Sequence, residues 1–260
     1  MSSFQIISSL RYDPDLPTVT SQHASIYPHP AQSPYYLLAY HQQRLISAAQ
    51  HFQWPKALDF LQRDLGDFEQ FLDAFIPDKH KPWRLRIVVD SEGNGSVDVH
   101  PAPASSLLHF VIPSQDTDLR SPVWKVYLDT QSTTPSGFTT HKTTARNDYT
   151  AARLRAGISS PAETSEVLVV NPNGEIMEGS ITTPYFRRHD TGDGGGASGP
   201  EWITPPLQSG GNAGTSRRYA LSQGFCTEEV ISTAQLRDGD ECWLSNGVRG
   251  FMRGKVILDR

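Results

Sequence analysis

The sequence predicts a mixed α/β (α+β) protein in two parts, and three patterns carry that expectation. Apolar residues at helical spacing run through residues 38–75. Alternating apolar residues mark strands before and after them, and a polar stretch at 113–122 separates a mixed first part from a strand-rich second. The expected architecture is a small N-terminal α/β domain at 1–112, an interdomain loop at 113–122 and a larger C-terminal β-rich domain at 123–260.

Residues Phe4 to Leu10 read as a short strand that Asp13-Pro14 cuts off. Pro28, Pro30 and Pro34 leave no room for a regular element over 23–34. From Leu38 the pattern is helical, with Leu45, Ala48, Ala49 and Phe52 at i, i+3, i+4 and i+7. A second helix is expected under Leu58, Leu61, Leu65, Phe68, Leu72 and Phe75, one apolar stripe that packs on something larger. Leu85, Ile87 and Val89 then alternate as one face of a strand. The 91–96 turn leads into a hairpin partner at 96–100, and 107–112 reads as another strand.

Past the polar break, 123–128 reads as a strand and a Ser/Thr-rich loop leads into a helix from about Thr143 to Ala156, stopped by Gly157. Residues 166–170, a tight Asn171-Pro172-Asn173-Gly174 turn and 175–179 form a hairpin. The glycine-rich segment 189–200 reads as a loop between strands, followed by a strand at 201–207, a glycine turn at 210–214 and a short helix at 215–224. Strands near 226–231, 241–246 and 251–258 finish the chain, and no internal repeat is visible.

Composition excludes several classes of function. The chain has 260 residues, 37% of them hydrophobic, which is ample for a buried core. With 23 Lys and Arg against 28 Asp and Glu it carries a net charge of −5 and no basic stripe of the kind that displaces counterions from nucleic acid. No apolar run is long enough to span a membrane, and Met1 to Asp15 lack the basic start of a secretory signal. Cys226 and Cys242 are too few for a disulfide framework and are expected to pack in strands as small hydrophobes. A cytoplasmic protein is therefore expected. His23 and His29 lack a third ligand, so no metal is expected. The glycines at 192–196 are not followed by a helix, so they do not form a dinucleotide loop.

Several segments fit a single chemistry when taken together. They are Tyr40 to Leu45, Thr140 to Arg146, Gly174 to Ser180, Thr204 to Leu207 leading into Gly214 to Arg217, and Ser245 to Gly250. Taken one by one, each has a plain explanation. A lysine such as Lys142 at a helix start is most often a solvated charge, Glu178 could be an exposed strand-end carboxylate, and Arg44 could lie on the wet face of its helix. In this order, however, the segments resemble the fold-type-IV pyridoxal-phosphate enzymes, which include branched-chain and D-amino-acid aminotransferases and 4-amino-4-deoxychorismate lyases. The resemblance spans nearly the whole chain.

The resemblance implies a role for each matched residue. Lys142, opening a helix, would form the Schiff base with pyridoxal phosphate. Glu178 would pair with the ring nitrogen and keep it protonated; Glu175 belongs to the preceding turn. The phosphate dianion would take donors from Gly214, Thr215 and Ser216 at a helix start, from the amide of Gly247 and from the planar fork of Arg44. Arg217 is expected on the helix surface.

Arg146 and Arg249 lean the reading toward the lyases, whose substrate carries two carboxylates, and would bind them. The implied reaction releases 4-aminobenzoate and pyruvate. An aminotransferase for D-amino acids, branched-chain acids or amines, or a degenerate cofactor-binding member, stands as the alternative. The resemblance also implies a homodimer. Two departures accompany it. The chain starts almost at Ile7 to Arg11, where the family has an earlier hairpin, so part of the small domain is expected to be missing or differently built. Gly210 to Ala213 is also more polar than the family's glycine turn.

Overall fold

The computed structural model describes residues 4–114, 121–160, 162–188 and 200–258. Most of the expected interdomain loop at 113–122 and nearly all of the glycine-rich segment at 189–200 lie outside the described residues. The chain divides into two compact units. One comprises residues 1–113, 141–145 and 247–250; the other comprises 114–140, 146–246 and 251–260.

The first unit is an antiparallel sheet with helices. Its strands are β1 (Ile6–Tyr12), β2 (Trp83–Val89) and β3 (Gly95–Pro101), and its helices α1 (Leu16–Thr20), α2 (Leu38–His51), α3 (Pro55–Leu61) and α4 (Leu65–Asp73). Strand β2 is central, with Leu10 opposite Leu85 and Ile87 opposite Val97. One core gathers Leu45, Ala49, Leu61, Phe68, Leu85 and Ile87, so the helical stripe and the strand alternation bury into each other.

Three expectations for this unit change. The single helix under 58–75 is two helices, because the Asp64 carboxylate accepts from Gly66 N (2.8 Å) and caps a new start. The apolar periodicity survives the break because both helices serve the same core. Residues 107–112 do not form a strand. Leu107–Phe110 is a 3-10 turn capped by Ser106, with Phe110 buried and Leu108 48% exposed. A short apolar run does not by itself distinguish the two. Helix α1 was not among the expected elements; it carries Pro17 in its first turn, where proline is tolerated.

The second unit holds an eight-stranded mixed sheet. In chain order its elements are β4 (Trp124–Ser132), α5 (Gly137–Thr140), α6 (Asn147–Arg155), β5 (Ser165–Val170), β6 (Ile176–Gly179), β7 (Thr183–Arg187), β8 (Trp202–Thr204), α7 (Thr215–Ser222), β9 (Cys226–Glu228), β10 (Glu241–Asn246) and β11 (Gly250–Ile257). The spatial order is β6-β5-β4-β11-β10-β7-β8-β9. Strands β4 and β5 are parallel, which requires a crossover, and α6 lies on the connection between them. The unbroken run Glu166 to Val170 is a strand covered on both faces. Leu168 and Val170 enter one apolar cluster, while Val167 and Val169 enter another with Tyr149 and Met177. Cys226 and Cys242 are buried free thiols, and burial pushes Cys226 up to about 12. No helix among the described residues is long and apolar enough to cross a membrane.

Candidate active site

In the second unit the β5–β6 hairpin sets two glutamates in different roles. The turn is closed by Asn171, whose Oδ1 accepts from Asn173 N (2.9 Å) and Glu175 N (3.0 Å), while Gly174 takes φ +76°. Glu175 Oε2 in turn accepts from Asn171 Nδ2 (2.8 Å) and Ser209 Oγ (2.9 Å), so this carboxylate serves the turn. Glu178 lies opposite Val169 in β5, is buried, and accepts the hydroxyl of Tyr149 on α6. Burial and the Glu178 charge hold the Tyr149 phenol well above its ordinary range, so it keeps its proton and acts as donor. The Arg146 guanidinium lies 3.8 Å over the Tyr149 ring and its Nη2 donates to Ser180 O (2.7 Å).

The loop that follows Glu178 is braced by another buried acid. Glu166 accepts from Ser180 N (3.0 Å), Ile181 N (3.0 Å) and Thr182 Oγ1 (2.7 Å). Gly179 is required there, since a Cβ would fall 2.4 Å from Thr182 Oγ1. A buried carboxylate with this many donors has its acceptor sites filled and fixes the backbone that carries Glu178.

Helix α7 brings a second kind of group to this unit. Its N-cap is Gly214, with no side-chain cap, and both Thr215 and Ser216 are buried. Tyr185 Oη and Ser245 Oγ share a hydrogen bond (2.8 Å), and Ser245 Oγ donates to Ser216 Oγ (2.8 Å). Burial holds the Tyr185 phenol well up. With Tyr185 donating, the relay leaves the Ser216 proton to point elsewhere. A small space in this unit is lined by Glu178, Thr183, Thr204, Gly211, Asn212 and Arg217. Arg217 is not on the surface, as the sequence suggested. It is buried, donates to Pro205 O (2.9 Å) and pairs with Glu228, a structural clamp that the helical pattern could not reveal.

In the first unit the expected residues gather around His41. Residues 141–145 run along β1: Ile7 N donates to Lys142 O (2.9 Å) and Thr144 N to Gln5 O (2.8 Å). Lys142 therefore sits on an extended segment and does not open a helix; α6 starts only at Asn147, because the backbone of 142–144 is committed to β1. His41 is wholly buried, with Nδ1 2.7 Å from Ser8 Oγ. Burial, then the charges of Arg44 and Lys142, hold its imidazole far below its ordinary range, so it is neutral. Gly247 packs against the same ring: a Cβ would fall 2.5 Å from His41 Cε1, and Gly247 O accepts from Arg11 N (3.0 Å). Arg249 is partly exposed at the end of the turn joining β10 to β11.

Comparison with known proteins decides the family. The model of class IV amino-transferases matches residues 29–257. The chain belongs to that family. Among its relatives, the aminodeoxychorismate lyase of Saccharomyces cerevisiae is 27% identical over 197 residues, which is 67% of this chain and 51% of that one. This chain thus spans about half the length of that relative. A candidate aminodeoxychorismate lyase of Schizosaccharomyces pombe is 24% identical over 230 residues, covering 86% of this chain and 85% of the other. In fold, the chain is similar to a candidate amino-acid aminotransferase of Mesorhizobium loti, with a TM-score of 0.69, 21% identity and coverage of 98% and 100% of the two chains. The class IV fold expected from the motifs is thus the observed one.

Each unit carries groups that suit pyridoxal phosphate, the cofactor of the class IV fold-type-IV enzymes. A buried carboxylate suits a protonated ring nitrogen, and an uncapped helix start with buried hydroxyls suits a phosphate. A lysine amine suits an aldehyde. Sequence reasoning missed Tyr149, Glu166, His41 and Ser8. A signal existed for two of them: His41 lies three residues before Arg44 on α2, and Glu166 is an acid heading an apolar strand. Tyr149 reads as an ordinary core aromatic.

Proposed function

We propose that this chain is a pyridoxal-phosphate lyase that converts 4-amino-4-deoxychorismate into 4-aminobenzoate and pyruvate, acting as a homodimer in the cytoplasm. The observation that carries the reading is Glu178, a buried carboxylate held by Tyr149 on a strand whose following loop Glu166 braces. The names of the two fungal relatives support the lyase over other class IV reactions.

Bound pyridoxal phosphate supplies an electron sink. Glu178 would favour the protonated ring nitrogen. Lys142 would hold the cofactor through its amine and move the proton from the substrate carbon that bears the amino group. Losing that proton would let the carbon–oxygen bond to the enolpyruvyl group break as the carbon ring becomes aromatic, and a proton returned to the methylene carbon of the released enolpyruvate would make it pyruvate. Gly214, Thr215 and Ser216, the Gly247 amide and Arg44 would bind the phosphate. Arg249, and Arg146 through the nitrogens other than the one on Ser180, would meet the substrate carboxylates.

The test is incubation of the cofactor-loaded protein with 4-amino-4-deoxychorismate, following both products. Equal amounts of 4-aminobenzoate and pyruvate are expected. Keto-acid formation from amino-acid donors without 4-aminobenzoate would make it an aminotransferase, and neither activity would mark a degenerate cofactor binder.

A further inference from the structure

We infer that Tyr149 is a positioning residue for Glu178, setting how much negative charge that carboxylate turns toward the cofactor ring. The inference deepens the proposed function and rests on it.

The contact is held from both ends. Tyr149 is buried near the start of α6, and its single hydroxyl proton goes to Glu178 Oε1; Thr139 O, at 3.5 Å, is the longer alternative. The ring is covered by the Arg146 guanidinium at 3.8 Å, and Arg146 is itself anchored on Ser180 O at 2.7 Å. Ser180 lies two residues beyond Glu178, and its Oγ bonds to Glu166 (2.5 Å) and accepts from Arg153 (3.0 Å). The same loop that fixes the Glu178 backbone therefore fixes the cation over the tyrosine. Gly211 closes in beside it, where a Cβ would meet Met177 O at 2.2 Å and Glu178 Cβ at 3.3 Å.

A cation on the face of a phenol draws electron density from the ring and strengthens the hydroxyl as a donor. A carboxylate that accepts such a proton on one oxygen is stabilised as the anion and offers less charge from the other. Glu178 would then leave the ring proton on the cofactor nitrogen. Without Tyr149, more negative charge would face the ring, and the lysine–cofactor linkage would hold its own proton to higher pH. A tyrosine that merely fills the core beside Val167, Val169 and Met177 would have no such effect.

The test is a pH titration of the visible absorbance of the cofactor-loaded protein, wild type against Tyr149→Phe. The variant is expected to bind pyridoxal phosphate, to be fixed by borohydride at Lys142 as in the wild type, and to titrate about one pH unit higher. In a Glu178→Gln background the same substitution should add no shift. Site-specific 3-fluorotyrosine at position 149, a stronger donor of nearly equal size, should move the midpoint down, which keeps the test open if the phenylalanine variant misfolds. An unchanged midpoint in the folded phenylalanine or fluorotyrosine protein would overturn the inference, as would an equal shift in the Glu178→Gln background. Absence of any lysine-bound chromophore in the wild type would instead sink the proposed function itself.

Discussion

Ser8 Oγ lies 2.7 Å from Nδ1 of His41, with both side chains wholly buried. The imidazole sits beside Arg44 and Lys142 and is kept neutral by burial and by those charges. Its contact with Ser8 satisfies one ring nitrogen, and Gly247 packs against the far side of the ring. Ser8→Ala would take that partner away from a fully buried nitrogen. We expect a loss of about 1–3 kcal/mol in urea unfolding. A change below about 0.5 kcal/mol would mean that water replaces the hydroxyl.

A pH dependence follows from the same unit. Burial, then His51 and Arg44, lower His141 from 6.5 to about 4, and its ring lies tilted against His51 with centroids 4.4 Å apart. As pH falls through this window the unfolded chain takes up a proton that folded His141 refuses. Its contribution is therefore intact above the unfolded value of 6.5 and declines as pH falls toward 4. His41, also lowered, acts in the same direction. Thermal unfolding from pH 7 down to about 4.5 should show a falling Tm. In His141→Phe, whose ring suits the neighbouring Phe52, the fall should be shallower. An identical slope in the two proteins would contradict the assignment.

Glu178 and Glu175 should separate cleanly under substitution. Glu178→Gln removes the charge proposed to stabilise the ring proton, and turnover should fall about a hundredfold, equivalent to roughly 3 kcal/mol, with cofactor retained. Glu175→Gln touches the turn held by Asn171 and Ser209, so it should lower Tm and leave kcat near wild type. Steady-state kinetics with absorbance-checked occupancy reads both. A nearly active Glu178→Gln would show that the wrong carboxylate was chosen.

These contrasts mark how far the sequence could be read. The α2 stripe, the β2–β3 hairpin and the β5–β6 hairpin follow from local periodicity and turn chemistry, which lie within a few residues of each other. The Lys142 segment was misread because its conformation is decided by hydrogen bonds to Ile7 and Gln5, more than a hundred residues away, and not by the Thr143 to Ala156 pattern. Arg217 was misread for the same kind of reason, since Glu228 and Pro205 reach it through the fold. Tyr149 carries no local mark that separates a donor to Glu178 from a core aromatic.

Arg249 stands at the end of the turn after β10, two residues past Gly247. Arg249→Lys keeps the charge but loses the two-pronged fork that suits a carboxylate. We expect kcat/KM for 4-aminobenzoate formation to drop about tenfold to a hundredfold, or roughly 1.5–3 kcal/mol, with cofactor occupancy unchanged. Loss of cofactor in this variant would move Arg249 to the phosphate or to the fold.

The central claim is that Lys142 holds pyridoxal phosphate covalently. Borohydride reduction of the cofactor-saturated protein, followed by peptide mapping, tests it most directly. The account predicts one reduced adduct, on Lys142 between His141 and Thr143. An adduct on another lysine, or no adduct in protein saturated with cofactor, would contradict it.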